Sequence, residues 1–156
     1  MLRWLLILLT FSLAGAVSSL PFVLRADNVM DTAAQLIPAA ATAAAVCGTL
    51  FWRAFSPETS ARWRAPAAGA VAGLVAHPIM WLLITIQTGS SVGISAEQMV
   101  AGGILATMFF SLFSMVIYGP VTMLTGALTG WFLNRFLLNT RFTGAVTPPL
   151  VGHKLP

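Results

Sequence analysis

The length of its apolar stretches constrains this chain more than any other feature. A helix needs about 20 mostly apolar residues to cross a hydrocarbon core about 30 Å thick. Residues 2–24 meet that need, with Arg3 as their only charge. Residues 29–52 form a second, Ala-rich stretch that ends at Arg53, and residues 66–88 form a third. After the polar turn Gly89-Ser90-Ser91-Val92-Gly93, an apolar run extends from Met99 to Leu138, about twice what one crossing requires. Composition agrees. Of 156 residues, 58% are hydrophobic and 8% charged, against about 25% charged in a soluble domain. Eight Lys or Arg and four Asp or Glu cannot coat a water-soluble protein of this size. Disorder is excluded as well, because it needs low hydrophobicity and high charge. The single cysteine, Cys47, excludes an internal disulfide framework and a Cys-based zinc cluster. The chain therefore reads as an all-α integral membrane protein. It is expected to form one domain, a four-helix transmembrane bundle over residues 1–138, followed by a flexible tail at 139–156.

The first segment admits two readings. Met1-Leu2-Arg3 resembles the basic start of a signal peptide, Trp4 to Leu13 its apolar region, and Ala14-Gly15-Ala16 a small-residue cleavage site. The apolar residues continue through Phe22-Val23-Leu24, however, and a full span favours a retained helix.

Orientation follows from the basic residues, which collect in cytoplasmic loops. Arg53, Arg62 and Arg64 make the loop between the second and third spans the strongest anchor. Placing it inside puts Arg3 inside and Arg25, Asp27, Asp31 and Glu97 outside. If Met99 to Leu138 crosses once, Arg135, Arg141 and Lys154 are also inside, so seven of the eight basic residues share one side. If it turns at Tyr118-Gly119-Pro120, there are five spans and the basic residues divide evenly. The charge rule favours one crossing and a cytoplasmic tail, although Gly-Pro is a competent turn signal.

An internal comparison points the same way. Pro38, Gly48 and Arg53 recur as Pro120, Gly130 and Arg135 at a constant offset of 82 residues. If the two helices correspond, the fourth span covers about 111–135, and residues 94–110 are an insertion forming an interfacial or re-entrant helix on the outer side. Ser95-Ala96-Glu97-Gln98 has the pattern of a capped helix start.

Few residues carry chemistry. His77 stands near the middle of the third span, where an ionisable side chain is a functional hypothesis by default. Gly73 and Trp81 lie one turn on either side of it and share its face. Three readings follow: a histidine hydrogen-bonded to a neighbouring helix, a site handling protons or substrate, or an axial ligand to a macrocycle admitted by the bare Gly73. No cofactor is required by the sequence. Asp27, Asn28, Asp31 and Gln35 gather at the outer start of the second span, where carboxylates complement the helix dipole and Asp27 or Asn28 can cap. The functional reading joins Asp31 and Gln35 to Glu97 or Gln87 as a small cation or proton entry site of oxygen ligands, on a path that His77 would also line.

Gly69 and Gly73, and likewise Gly126 and Gly130, are GxxxG pairs that let helix backbones approach in lipid, within one bundle or between copies. Trp52, Trp63 and Trp131, with Arg53, Arg62 and Arg64, read as membrane-surface anchors on the inner side. The net charge of +4 is accounted for by the membrane rule, so no nucleic-acid partner is implied. No nucleophile–base set, phosphate loop or metal motif is present. The expectation is a non-catalytic protein of the bacterial inner membrane with lipids and other membrane helices as partners. It would act by packing, as an accessory subunit or a homo-oligomer. The alternative is a small oligomeric transporter or channel lined by His77 and the outer acids.

Overall fold

A computed structural model describes residues 2–55, 63–92 and 95–142. Those residues form four helices: α1 (Leu2–Val23), α2 (Val29–Phe55), α3 (Arg64–Val92) and α4 (Ala96–Phe142). All four are long and apolar enough to cross a membrane. Each carries a proline beyond its first turn, Pro21, Pro38, Pro78 or Pro120, inside a continuous helix. Lipid supplies no hydrogen bonds, so a helix that broke there would leave its backbone unsatisfied.

Local chemistry sets the helix ends. Past Pro21, α1 closes through turns in which the amides of Arg25 and Ala26 bond to the carbonyls of Phe22 and Val23. Asn28 caps α2: its side chain accepts from the Asp31 amide at 3.5 Å and donates to the Asp31 carboxylate. Pro66 sits in the first turn of α3, where no intrahelical donor is lost. Ser95 immediately precedes α4.

The helices form an antiparallel ring in which each packs on its chain neighbours and α1 meets α4 across the sparsest seam. Side-chain size is distributed for a lipid solvent. The interior is built largely of Ala39, Ala40, Ala43, Ala65, Ala68 and Ala72, while Leu5, Leu13, Leu105, Leu112 and Phe113 face outward. Small residues inside maximise close backbone contact, and large apolar residues outside meet acyl chains. One core cluster joins Ile7, Phe11, Cys47, Trp52, Ala65, Ala72 and Leu133. A second joins Val23, Leu36, Ala39, Ala40, Ala43 and Met80 at the other end. The positions of Ile7, Trp52, Ala65 and Leu133 in one cluster put Arg3, Arg53, Arg64 and Arg135 at the same end of the bundle.

Three sequence expectations change here. Residues from Ala96 onward belong to α4 without interruption, so 96–110 is not set apart as a separate interfacial or re-entrant helix, while residue 94 of the expected insertion lies outside the described ones. No five-span hairpin forms at Gly119-Pro120, which lies in the helix interior. Apolar residues flank that dipeptide, and a turn there would strand its peptide groups in hydrocarbon. The helix also continues to Phe142, past the expected start of the tail at 139, while residues 143–156 lie outside the described ones.

Candidate functional site

The polar centre of the bundle lies on the α3–α4 seam. Along α3, the residues Ala65, Gly69, Gly73, His77, Trp81 and Thr85 recur every fourth position and so line one face. The lower part of that face meets backbone. A Cβ on Gly69 would strike the Gly126 carbonyl, one on Gly73 the Thr122 carbonyl, and one on Gly130 the Ala65 carbonyl. The two GxxxG pairs thus lock against each other inside one chain, and the interface between copies that the sequence also allowed is not what they form here.

This close approach brings His77 onto α4. His77 is 4% exposed, and its Nδ1 lies 3.0 Å from Ser114 Oγ and its Nε2 2.9 Å from Thr122 Oγ1. Trp81 Nε1–H donates to Ser114 Oγ at 2.9 Å, and Ser114 Oγ–H donates to the Ser111 carbonyl at 3.0 Å. Ser114 has one proton, for the Ser111 carbonyl or for His77 Nδ1; with it on the Ser111 carbonyl, Nδ1–H donates to Ser114. A neutral ring then presents a lone pair at Nε2, which accepts the Thr122 hydroxyl proton. Gly119 and Tyr118 carbonyls, 3.0 and 3.3 Å from that hydroxyl, are its alternative acceptors. One turn beyond Trp81, Thr85 and Thr107 continue the polar seam at 3.1 Å.

Of the readings open for His77, the hydrogen-bonded histidine is the geometry observed. The macrocycle reading fails on space and on ligation: α4 backbone occupies the room beside Gly73, and both ring nitrogens are engaged by hydroxyls. The joint polar site of His77 with Asp31, Gln35 and Glu97 is not assembled. Those three side chains are exposed, and α2 presents Ala40 and Ala44 toward the histidine's surroundings. Asp31 instead serves the Asn28 cap, one helical turn above Gln35.

Among the expected anchors, Trp63 and Trp131 are exposed, as are Arg53 and Arg64, while Arg62 lies outside the described residues. Trp52 is different. It is 1% exposed and packs edge-on against Phe11 with ring centroids 6.5 Å apart. Gly48, one turn before Trp52, leaves room for the Phe11 ring, which draws the indole into the core and away from the surface. Its Nε1–H is left without a partner, as are Thr49 Oγ1 and Ser111 Oγ.

Sequence reasoning singled out His77 but missed Ser114 and Thr122. Their signal was present: Thr107, Ser111, Ser114, Tyr118 and Thr122 follow three- and four-residue steps that mark one face of α4. Among the described residues, no group of three or more His, Cys, Asp or Glu could hold a metal ion.

Between the four helices lies a half-open cavity with about 50 Å³ of room for water-sized molecules. Ser18 of α1, Ala40 and Ala44 of α2, Ala76 and His77 of α3, and Thr122 and Thr125 of α4 contribute to its wall.

Helical membrane bundle is the class that fold and site define. Comparison of the chain with family models, with curated proteins and with solved structures finds no match.

Proposed function

We propose that this protein is a non-catalytic membrane subunit that works by packing against other membrane helices. The observation that carries this reading is the length of apolar surface on α4. Its apolar part, Gly102–Phe136, has 35 residues and extends about 52 Å at 1.5 Å per residue. A bilayer is about 40–45 Å thick with its headgroups and about 30 Å in its hydrocarbon. Tilt alone would need about 55° to hide that length in the hydrocarbon, beyond the roughly 40° at which observed tilts end. By contrast, α1 has 22 residues and a length of about 33 Å that matches the bilayer.

The excess lies at a definite place. The end of α1 meets α4 where Phe22 packs on Tyr118, ring centroids 3.6 Å apart. Toward its N-terminus from there, α4 exposes Leu105, Met108, Phe109, Leu112 and Phe113. Phe109 and Phe113 stack at an interplanar angle of 7°, giving a flat aromatic surface. Apolar area of this kind beyond the end of α1 is a surface for protein.

A photoreactive benzoylphenylalanine at Phe109, activated in the native membrane, tests the reading. A crosslink to a distinct membrane protein, with matching stoichiometry in the mass of the native complex, supports an accessory subunit. A crosslink between two copies supports a homo-oligomer. Lipid adducts alone on a monomer would sink the proposal. The transporter reading retains His77 beside the central cavity but has no acidic entry leading to it. Its distinguishing mark is solute flux by the purified oligomer in vesicles. The bacterial inner membrane remains the proposed location, on the strength of the basic residues gathered at one end of the bundle.

A further inference from the structure

The central cavity has three properties that together describe an occupant. The first is its place. Helices α1 and α4 touch where Phe22 meets Tyr118, and toward the other end Ile7 and Leu133 belong to one core cluster. Between those two levels the cavity is walled by Phe11 and Ser18 on α1 and by Thr122 and Thr125 on α4. Two of the other seams, α1–α2 and α3–α4, are closed by intimate contacts. Gly15 sits against Ala44, where a Cβ would come within 2.6 Å of the alanine methyl, and Gly69 meets Gly126. The α1–α4 seam is the sparsest of the four, and we assign the half-open side to it, where the medium outside is hydrocarbon.

The second property is polarity. Ser18 Oγ donates to the Gly15 carbonyl at 2.9 Å, and Thr125 Oγ1 donates to the Val121 carbonyl at 2.9 Å. Thr122 gives its proton to His77 Nε2 or to a carbonyl of its own helix. Each hydroxyl has one proton, already committed, so what these residues have left to offer is lone pairs. The cavity is mostly apolar, walled by Phe11, Met80, alanines and glycines, with a few hydroxyl acceptors set in it. The third property is size. A volume of about 50 Å³ is a third of the roughly 150 Å³ that holds benzene, so a ring does not fit and an unbranched end does.

We propose that this cavity binds the hydroxyl-bearing end of an unbranched apolar alcohol, which enters from the bilayer hydrocarbon between α1 and α4. The hydroxyl donates to an oxygen of Ser18, Thr122 or Thr125, and the alkyl chain leads back through the seam to the lipid. This inference does not depend on the packing role of α4, because the residues involved lie on the opposite side of the Phe22–Tyr118 contact from the exposed aromatic surface.

Photolabelling tests it on the full chain in phosphatidylcholine nanodiscs. The probes are an octanol carrying a diazirine and the same diazirine on octane. The alcohol is expected to label residues 11–18 and 122–126, and excess octanol, but not excess octane, should displace it. Thr125→Val keeps the side-chain volume and removes one acceptor, so it should lower labelling about fivefold if the hydroxyl bonds there. Ser18→Ala reports the same for α1. Equal labelling by the octane probe would show an apolar void and overturn the proposal. Labelling confined to outward-facing residues, or labelling that survives the Thr125→Val with Ser18→Ala double variant, would overturn it too.

Discussion

A histidine at mid-membrane is tolerable only when hydrocarbon is kept from both ring nitrogens. Ser114 and Thr122, eight residues apart on one face of α4, supply the two partners that His77 needs. Hydrogen bonds between membrane helices average about 0.6 kcal/mol, because an unfolded chain in the membrane also finds partners. His77→Leu, which loses two of them, is therefore expected to destabilise the bundle by only about 1–2 kcal/mol. His77→Gln keeps a donor and an acceptor and should cost less than about 1 kcal/mol. Unfolding by steric trapping in bicelles measures both. If His77→Gln proves as costly as His77→Leu, ring geometry matters more than bonding capacity. The proton accounting at Ser114 also makes a direct spectroscopic prediction. In the neutral ring, solid-state nitrogen NMR should find the proton on Nδ1, and Ser114→Ala should release that preference.

At the scale of elements, the α3–α4 seam is decided by glycines that face backbone. A side chain at Gly126 meets the Gly69 carbonyl, and neither helix can yield without parting along the whole seam. Gly126→Leu is expected to cost about 3 kcal/mol or more, the upper end of overpacking. Gly102 is the control on the same helix: nothing lies within 4 Å of where its Cβ would be. Gly102→Leu should be neutral or stabilising by up to about 1 kcal/mol, through helix propensity. Thermal unfolding of the two variants in one detergent compares them. The continuity of α4 through Pro120 is open to a distance measurement. Met108 and Leu128 are both exposed, and spin labels there should stand about 30 Å apart along one helix. A hairpin at Gly119-Pro120 would bring them to about 10 Å, the spacing of two packed helices.

For the whole molecule, four antiparallel helices return the chain to the end from which it started. Arg3, Arg53, Arg64 and Arg135 lie at that end, and Arg25, Asp31 and Glu97 belong to the helix ends of the opposite side. The basic end should face the cytoplasm. A fluorescent-protein fusion after Pro156 is expected to be bright and an alkaline phosphatase fusion inactive, and the reverse pattern would invert the topology. The core also makes a claim on α1. Ile7, Phe11, Gly15, Ser19 and Val23, all buried, form its packed stripe, and three of them lie within the first sixteen residues. Removing residues 1–16 should therefore abolish the thermal transition of the bundle instead of leaving three stable helices.

The sequence alone determined that this chain lives in lipid, that it is all helix, and that its basic residues gather on one side. Those conclusions rest on averages over about twenty residues, and lipid enforces them because it leaves a spanning backbone no choice but the helix. Asn28 as a cap and His77 turned toward protein were legible for a similar reason, since each answers to local or solvent chemistry. Tertiary structure decided which small residues meet. Gly69 could have packed on any helix, or on another copy, and nothing in its own segment names Gly126. The Trp52 ring was expected at the surface, and only the opposing Phe11 in the hollow at Gly48 explains its burial. The apolar run of α4 read as a span with an insertion because length was counted against one bilayer. Its continuation past the end of α1 is visible only once Phe22 is found beside Tyr118. Pairing between distant segments depends on matched shapes along two faces at once, and that matching is written in no single stretch of the chain.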